Sequence, residues 1–174
     1  MIKKSVVIFV IFAGILQGCL APVQRKTAVI PKKKIDDETV QKVEKILNRV
    51  ENIAKNRELE FLGRSTMSES VELMDMGVKV CPILVSKLKV SRNWKLRFWL
   101  VDLLGYIPSR ENIISLVEVI EDSTEKEATR LRACESLMEL NYTESIEHLL
   151  IAKDIVTNEK LKQKIELTIK RLKR

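Results

Sequence analysis

The residues that could do chemistry in this 174-residue chain are two internal cysteines, one histidine and a run of carboxylates. Cys81 and Cys134 form no Cys-x-x-Cys pair, and a single histidine leaves zinc without a ligand set. Outside the cytoplasm the two thiols could join as a disulfide. Against that, the helical repeat described below puts them in different helix layers, ~8–10 Å apart. A disulfide needs Cα atoms within about 7 Å, so two buried thiols are expected. His148 as a general base would need a nucleophile and an orienting acid. Ser145 and Glu144 are near in sequence, but nothing beside them forms an oxyanion site, and a surface histidine is expected. Glu111, Glu118, Glu121 and Asp122 are of the type used in paired-carboxylate hydrolysis. They share one flank of a helix and read as a solvated face. The glycines beyond residue 18 form no phosphate loop. The expectation is a chain without catalytic residues, metal or cofactor.

A fourth kind of chemistry lies at the start. Lys3 and Lys4 precede an apolar run, Val6 to Leu16, that has signal-peptide length and is too short to span a bilayer. It ends in Leu16-Gln17-Gly18-Cys19, which resembles the lipobox of bacterial lipoproteins. The family usually has a smaller side chain where Gln17 stands. The resemblance implies cleavage before Cys19, a diacylglyceryl group on its sulfur and acylation of its amine. Residues 1–18 are then a signal peptide and 19–35 a lipidated, flexible tether containing Pro22 and Pro31. The implied location is the bacterial cell envelope, lipid-anchored after export across the cytoplasmic membrane. In a two-membrane organism that means the outer membrane or periplasmic face.

The position of the charge decides its meaning. The formal net charge is +7, yet the first acid is Asp36, and Lys3, Lys4, Arg25, Lys26, Lys32, Lys33 and Lys34 all precede it. From Asp36 onward bases and acids balance at 24 each. The folded body therefore lacks the overall basic surplus that a nucleic-acid binder would carry. Lys32–Lys34 beside a lipid anchor suit anionic headgroups, or are simply a solvated basic linker.

Four of the chain's aromatic residues cluster in 94–106, and the elements follow from there. In Trp94–Ile107 helical pitch puts Leu96, Leu100, Val101, Leu104 and Ile107 on one face, with Trp99, Leu103 and Tyr106 on a second stripe. Such a helix is buried on several sides. Asp36-Asp37-Glu38 opens an N-terminal helix, 36–62, with acids at the positive end of the dipole. Its stripe of Val40, Val43, Leu47, Val50 and Ala54 either docks on the body or forms a dimer seam. Residues 63–174 hold the remaining helices, expected near 66–76, 79–89, 93–107, 110–121, 125–140, 144–153 and 158–173. Thr66…Glu69 and Thr124…Glu127 fit capping boxes. Ser109, Thr143 and Thr157 are candidate N-caps, and Gly77, Gly105–Pro108 and Asn141 mark turns. No segment alternates as a strand.

The chain slid over itself by 33 residues matches its own apolar phase. Leu100 falls on Ala133, Val101 on Cys134, Leu104 on Leu137, Ile113 on Ile146 and Leu116 on Leu149. This is the pattern of an α-solenoid, in which each hairpin is buried by its neighbours. The runs Leu96-Arg97…Leu100-Val101…Leu104-Gly105, Leu131-Arg132-Ala133…Leu137 and Gly77-Val78-Lys79-Val80-Cys81-Pro82-Ile83-Leu84 resemble the HEAT-like repeats of bacterial proteins, over about 66–156. Asp122 and Arg130 stand further apart than the family's acid and arginine. Helix 158–173 fits the period poorly and reads as a C-terminal cap. The resemblance implies an all-α short solenoid and a scaffold role without intrinsic catalysis.

Two surfaces suggest partners. Residues 77–108 carry six bases and one acid. Within that band Lys87, Lys89, Arg92, Trp94, Lys95 and Trp99 have the composition of a protein-binding hot spot. The alternative is that Trp99, Leu103 and Tyr106 are covered by the N-terminal helix. The last helix ends in Lys170, Arg171, Lys173 and Arg174, which suit the helix dipole or an anionic surface. The expected function is a membrane-anchored scaffold for an envelope protein partner. The alternative is a module binding anionic polymer or lipid through Lys32–Lys34 and the last helix. In bacterial cells, labelled palmitate is expected to enter the chain and to be lost in Cys19→Ser; equal incorporation by the variant would refute the anchor.

Overall fold

The computed structural model describes residues 35–56 and 68–174. Cys19, Lys32–Lys34, the leader, nearly all of the tether, the expected helix end 57–62 and Thr66 lie outside the described residues. Among the described residues the protein is all-α. It has helices α1 (Asp37–Asn56), α2 (Ser68–Met76), α3 (Cys81–Val90), α4 (Trp94–Tyr106), α5 (Glu111–Glu121), α6 (Glu127–Leu140), α7 (Ser145–Ile155) and α8 (Glu159–Leu172), a 3-10 turn at Gly77–Val80, and no strand.

The helix ends show which polar groups stop each element. Asn93, not singled out from the sequence, caps α4 by accepting from the amides of Lys95 and Leu96. Asn158 caps α8 through the Leu161 amide, in place of Thr157. The Thr124…Glu127 box is absent. Asp122 Oδ1 accepts from the Thr124 amide and hydroxyl, and Glu127 reaches instead to Lys160 and Asn158. Ser109 and Thr143 contribute backbone carbonyls, to Asn112 and Ile146, at the starts of α5 and α7. Asn141 ends α6 in the left-handed region, φ 53°, where a short polar side chain is tolerated. Gly105 is not a turn; it lies inside α4.

Two rows of helices form the body. α4 packs on α6 and α6 on α8; α3 packs on α5 and α5 on α7. The repeat frame reads 93–107 and 110–121 as one hairpin. The closer sequential pairs are instead α3/α4, α5/α6 and α7/α8. An arginine fastens each of the first two, Arg97 half-buried and Arg130 buried. Arg97 donates to the Leu88 carbonyl at the end of α3, and Arg130 Nε to the Ile120 carbonyl at the end of α5, 2.8 Å. Arg97 and Arg130 are 33 residues apart, so the period in the apolar pattern recurs in the hydrogen bonding.

The core is one cluster running through every helix, with Leu84, Leu96, Leu100, Leu104, Leu116, Leu137, Leu149 and Leu161 fully buried. Each such side chain contributes about 1.5–3 kcal/mol relative to exposure. α1 docks on it through Val43, Ile46, Leu47, Val50 and Ala54, all buried; Val40 is half-buried. Arg49 reaches Glu72 at 3.1 Å and Lys87 reaches Glu51 at 2.7 Å across this junction. The α1 stripe is therefore spent within the chain and is not free to serve as a dimer seam.

α4 and α6 approach closely at Gly105. A Cβ there would lie 2.7 Å from Ser136 Cβ and 2.8 Å from Ser136 Cα. Beside it Ser136 Oγ donates to the Val101 carbonyl, 2.8 Å. Gly105→Ala is expected to cost about 1–3 kcal/mol in denaturant unfolding, by overpacking. Adding Ser136→Gly should restore only part, since the Ser136 backbone remains in the way. An unchanged midpoint in Gly105→Ala would contradict the packing.

Candidate functional site

The aromatic and basic band is dispersed by the fold. Trp99 is 6 % exposed and its Nε1 donates to Ser70 Oγ of α2, 3.1 Å. A side chain sealed under α2 with its only donor used internally cannot anchor a partner, so Trp99 leaves the surface set. Lys87 is half-buried and engaged by Glu51. Lys89 is exposed but meets Glu118 of α5 at 3.1 Å. Lys95 is half-buried. Arg92 and Trp94 remain on the surface, and Trp94 is 43 % exposed. They flank Asn93, whose capping bonds hold the α3–α4 turn. Val90, unnoticed in the sequence, joins them at 75 % exposure. The α3–α4 edge thus presents an aliphatic, a guanidinium and an indole within five residues.

Beneath this edge Arg97 is fixed by the Leu88 carbonyl and by Glu125, whose side chain is nearly buried. A cleft of about 250 Å³ opens beside it between α3 and α5, lined by Lys89, Arg97, Glu118 and Asp122 among others. Its charges answer one another. Lys89 pairs with Glu118, and the Thr124 hydrogen bond holds Asp122 below the usual carboxylate range.

A second polar cluster went unread in the sequence. Arg132 of α6, 6 % exposed, pairs with Asp102 of α4 and with Glu135 and Glu139 of its own helix. Its guanidinium lies 5.9 Å from the Tyr106 ring centroid, within cation–π range. Glu135 passes the contact on to Lys164 of α8, 2.8 Å. Burial alone would push the Arg132 guanidinium down. The Glu135 hydrogen bond and the charges of Asp102 and Glu139 outweigh it and raise the group above its ordinary value. For Glu135 burial pulls upward, and the hydrogen bonds from Lys164 and Arg132 bring it below 4.5. In a buried ionic network of this kind desolvation offsets much of the attraction, so removing one partner costs more than the pairs add in net stability. The signal was present: Asp102 and Glu135 are 33 residues apart, with a cation 30 or 29 residues beyond each.

No family model matches this chain, and neither the curated proteins nor the solved structures gave a match.

Several of the groups considered for hydrolysis are engaged by other partners. Ser145 is buried and its hydroxyl donates to the Tyr142 carbonyl, 2.5 Å. Glu144 pairs with Arg110 at 3.0 Å. His148 is half-buried rather than on the surface, and its Nδ1 has no hydrogen-bond partner among the described residues. Glu111 and Glu118 are exposed, as the solvated-face reading expects, while Glu121 and Asp122 are half-buried. Among the described residues no three His, Cys, Asp or Glu side chains stand together as metal ligands.

Cys81 and Cys134 are free and buried. Burial pushes both thiols up, Cys134 to about 12. Neither is expected to react with a thiol reagent at pH 8 until denaturant is added; prompt labelling in the native state would contradict their burial. The acid side has the opposite sign. Glu51, Asp122, Glu127 and Glu135 all lie below their ordinary values when folded. Their stabilisation is complete above the unfolded values and lost as pH falls through the folded ones. The melting temperature is expected to hold to about pH 5 and drop below it. Glu135→Gln should flatten that drop; an identical acid limb in the variant would show that Glu135 takes no part.

Proposed function

We propose that the chain is an exported, lipid-anchored, non-catalytic scaffold whose HEAT-like α-solenoid holds an envelope protein at the α3–α4 edge. The observation that carries the reading is Trp94. It stands 43 % exposed at the start of a helix that is otherwise the most enclosed in the body, beside exposed Arg92 and Val90. Trp and Arg supply much of the binding energy in protein interfaces because they combine large apolar area with a directed polar group. The solenoid reading is supported by equivalent residues doing equivalent work 33 positions apart. Arg97 and Arg130 each fasten the helix before them, and Asp102 and Glu135 each meet a cation on the next helix of their row. The lipobox at Leu16–Cys19 supplies the anchor. Among the described residues no helix is long and apolar enough to cross a membrane.

The test is photocrosslinking in intact bacterial cells from a probe at position 94, followed by binding of the captured protein to purified variants. Trp94→Ala and Arg92→Ala are each expected to weaken that binding by roughly thirtyfold, the scale of a hot-spot residue. Leu150→Ala, an exposed apolar change on α7, should leave it intact. Undiminished binding by both edge variants would overturn the assignment.

A further inference from the structure

The cations of the last helix divide into two groups that composition alone merges. Lys160, Lys162 and Lys164 are each matched, to Glu127 at 2.7 Å, Glu159 at 2.9 Å and Glu135 at 2.8 Å. These three tie α8 to α6 or to itself. Lys170, Arg171, Lys173 and Arg174 are all exposed, and none has an ion-pair partner among the described residues. Elsewhere on the body exposed cations such as Lys42, Arg49, Lys89 and Arg110 have found carboxylates. The end of α8 is where four in five consecutive residues have not.

A helix dipole favours cations in the last turn, but it gives no reason for an exposed leucine beside them. Leu167 is 60 % exposed, while Leu161, Ile165, Ile169 and Leu172 of the same helix are buried. At helical spacing Leu167 shares its face with Lys170 and Arg171, three and four residues on. Gln163, one turn earlier, is also exposed. The stripe is therefore uncharged polar, then apolar, then strongly cationic; the acid that borders it, Glu166, four residues before Lys170, is taken by Lys153 of α7 at 2.5 Å.

We propose that this end of α8 seats on the anionic headgroups of a lipid bilayer. Lys170, Arg171, Lys173 and Arg174 meet the phosphates, and Leu167 dips toward the acyl boundary. The chemistry is the pairing of a cationic cluster with a negatively charged surface, strengthened by one apolar side chain at the interface. A soluble polyanion would satisfy the charges but leave Leu167 in water, which is why the bilayer is the better fit. The contact is separate from the α3–α4 edge and does not depend on the partner proposed there.

The test uses the mature chain, residues 19–174, carrying Cys19→Ser, so that neither the apolar leader nor a lipid of its own holds it to a vesicle. Leu167→Cys in that background takes a fluorophore, with Cys81 and Cys134 protected by burial. Phosphatidylglycerol-containing vesicles with nitroxide-labelled lipid are expected to quench the probe at 167. A probe at Val71 of α2, also exposed, should be quenched less. In co-sedimentation the triple change Lys170→Gln, Arg171→Gln and Lys173→Gln should lower partitioning, by roughly fivefold per cation, and added salt should do the same. Arg92→Ala and Trp94→Ala should sediment as the parent does. The proposal is overturned if the 167 probe stays unquenched while the chain sediments, or if the triple variant partitions like the parent. Equal binding to pure phosphatidylcholine would also overturn it. So would triple-variant loss of heparin retention with vesicle binding unchanged, which would reassign the cations to a soluble polymer.

Discussion

Backbone contact between α4 and α6 sets the terms for everything around it. At Gly105 there is no room for a side chain, because Ser136 stands where its first carbon would go. That proximity lets Ser136 reach the Val101 carbonyl and brings Asp102 and Tyr106 of one helix against Arg132 and Glu139 of the other. Interiors pack at crystal-like density and deform little. A helix pair fixed this closely becomes the reference against which α8 docks on one side and α2 with α1 on the other. The burial of Trp99 under α2 and the pairing of Glu135 with Lys164 are downstream of the same placement.

Much of the fold could be read before any coordinates, because its largest energetic term leaves a periodic trace. The apolar stripes of α1, α4 and α6 and the turn at Asn141 follow directly from spacing and backbone preference. The failures were polar. Asn93 caps α4, where the sequence offered no candidate, Asn158 caps α8 in place of Thr157, and the Thr124…Glu127 box does not form. Side-chain caps compete locally, and several candidates stand within a few residues of each helix start. Arg132 was hidden for a different reason. Its partners are Asp102 and Tyr106 of α4 and Glu135 and Glu139 of its own helix, and a buried ion has no periodic signature of its own.

The surface was legible only as composition. A basic, aromatic-rich band is visible in the sequence, but which of its members face outward depends on what lies over them. α2 covers Trp99, Glu51 takes Lys87, and Glu118 takes Lys89. The same sorting divides α8. A count of cations overstates a binding surface wherever acids on neighbouring helices have already answered them, and it misses exposed aliphatics such as Val90 and Leu167 that give the remainder its character.

Arg97 and Arg130 carry a consequence for how such a molecule can change size. Each grips the carbonyl end of the helix preceding it, so the fastening of a unit is encoded within that unit. A gene segment duplicated from just before one arginine to just before the next would bring along its own clasp, its own apolar spine and its own acid for the next layer. On the proposed solenoid reading, lengthening or shortening the stack by one unit would then ask for no invention at the seam, only tolerance at the terminal helices.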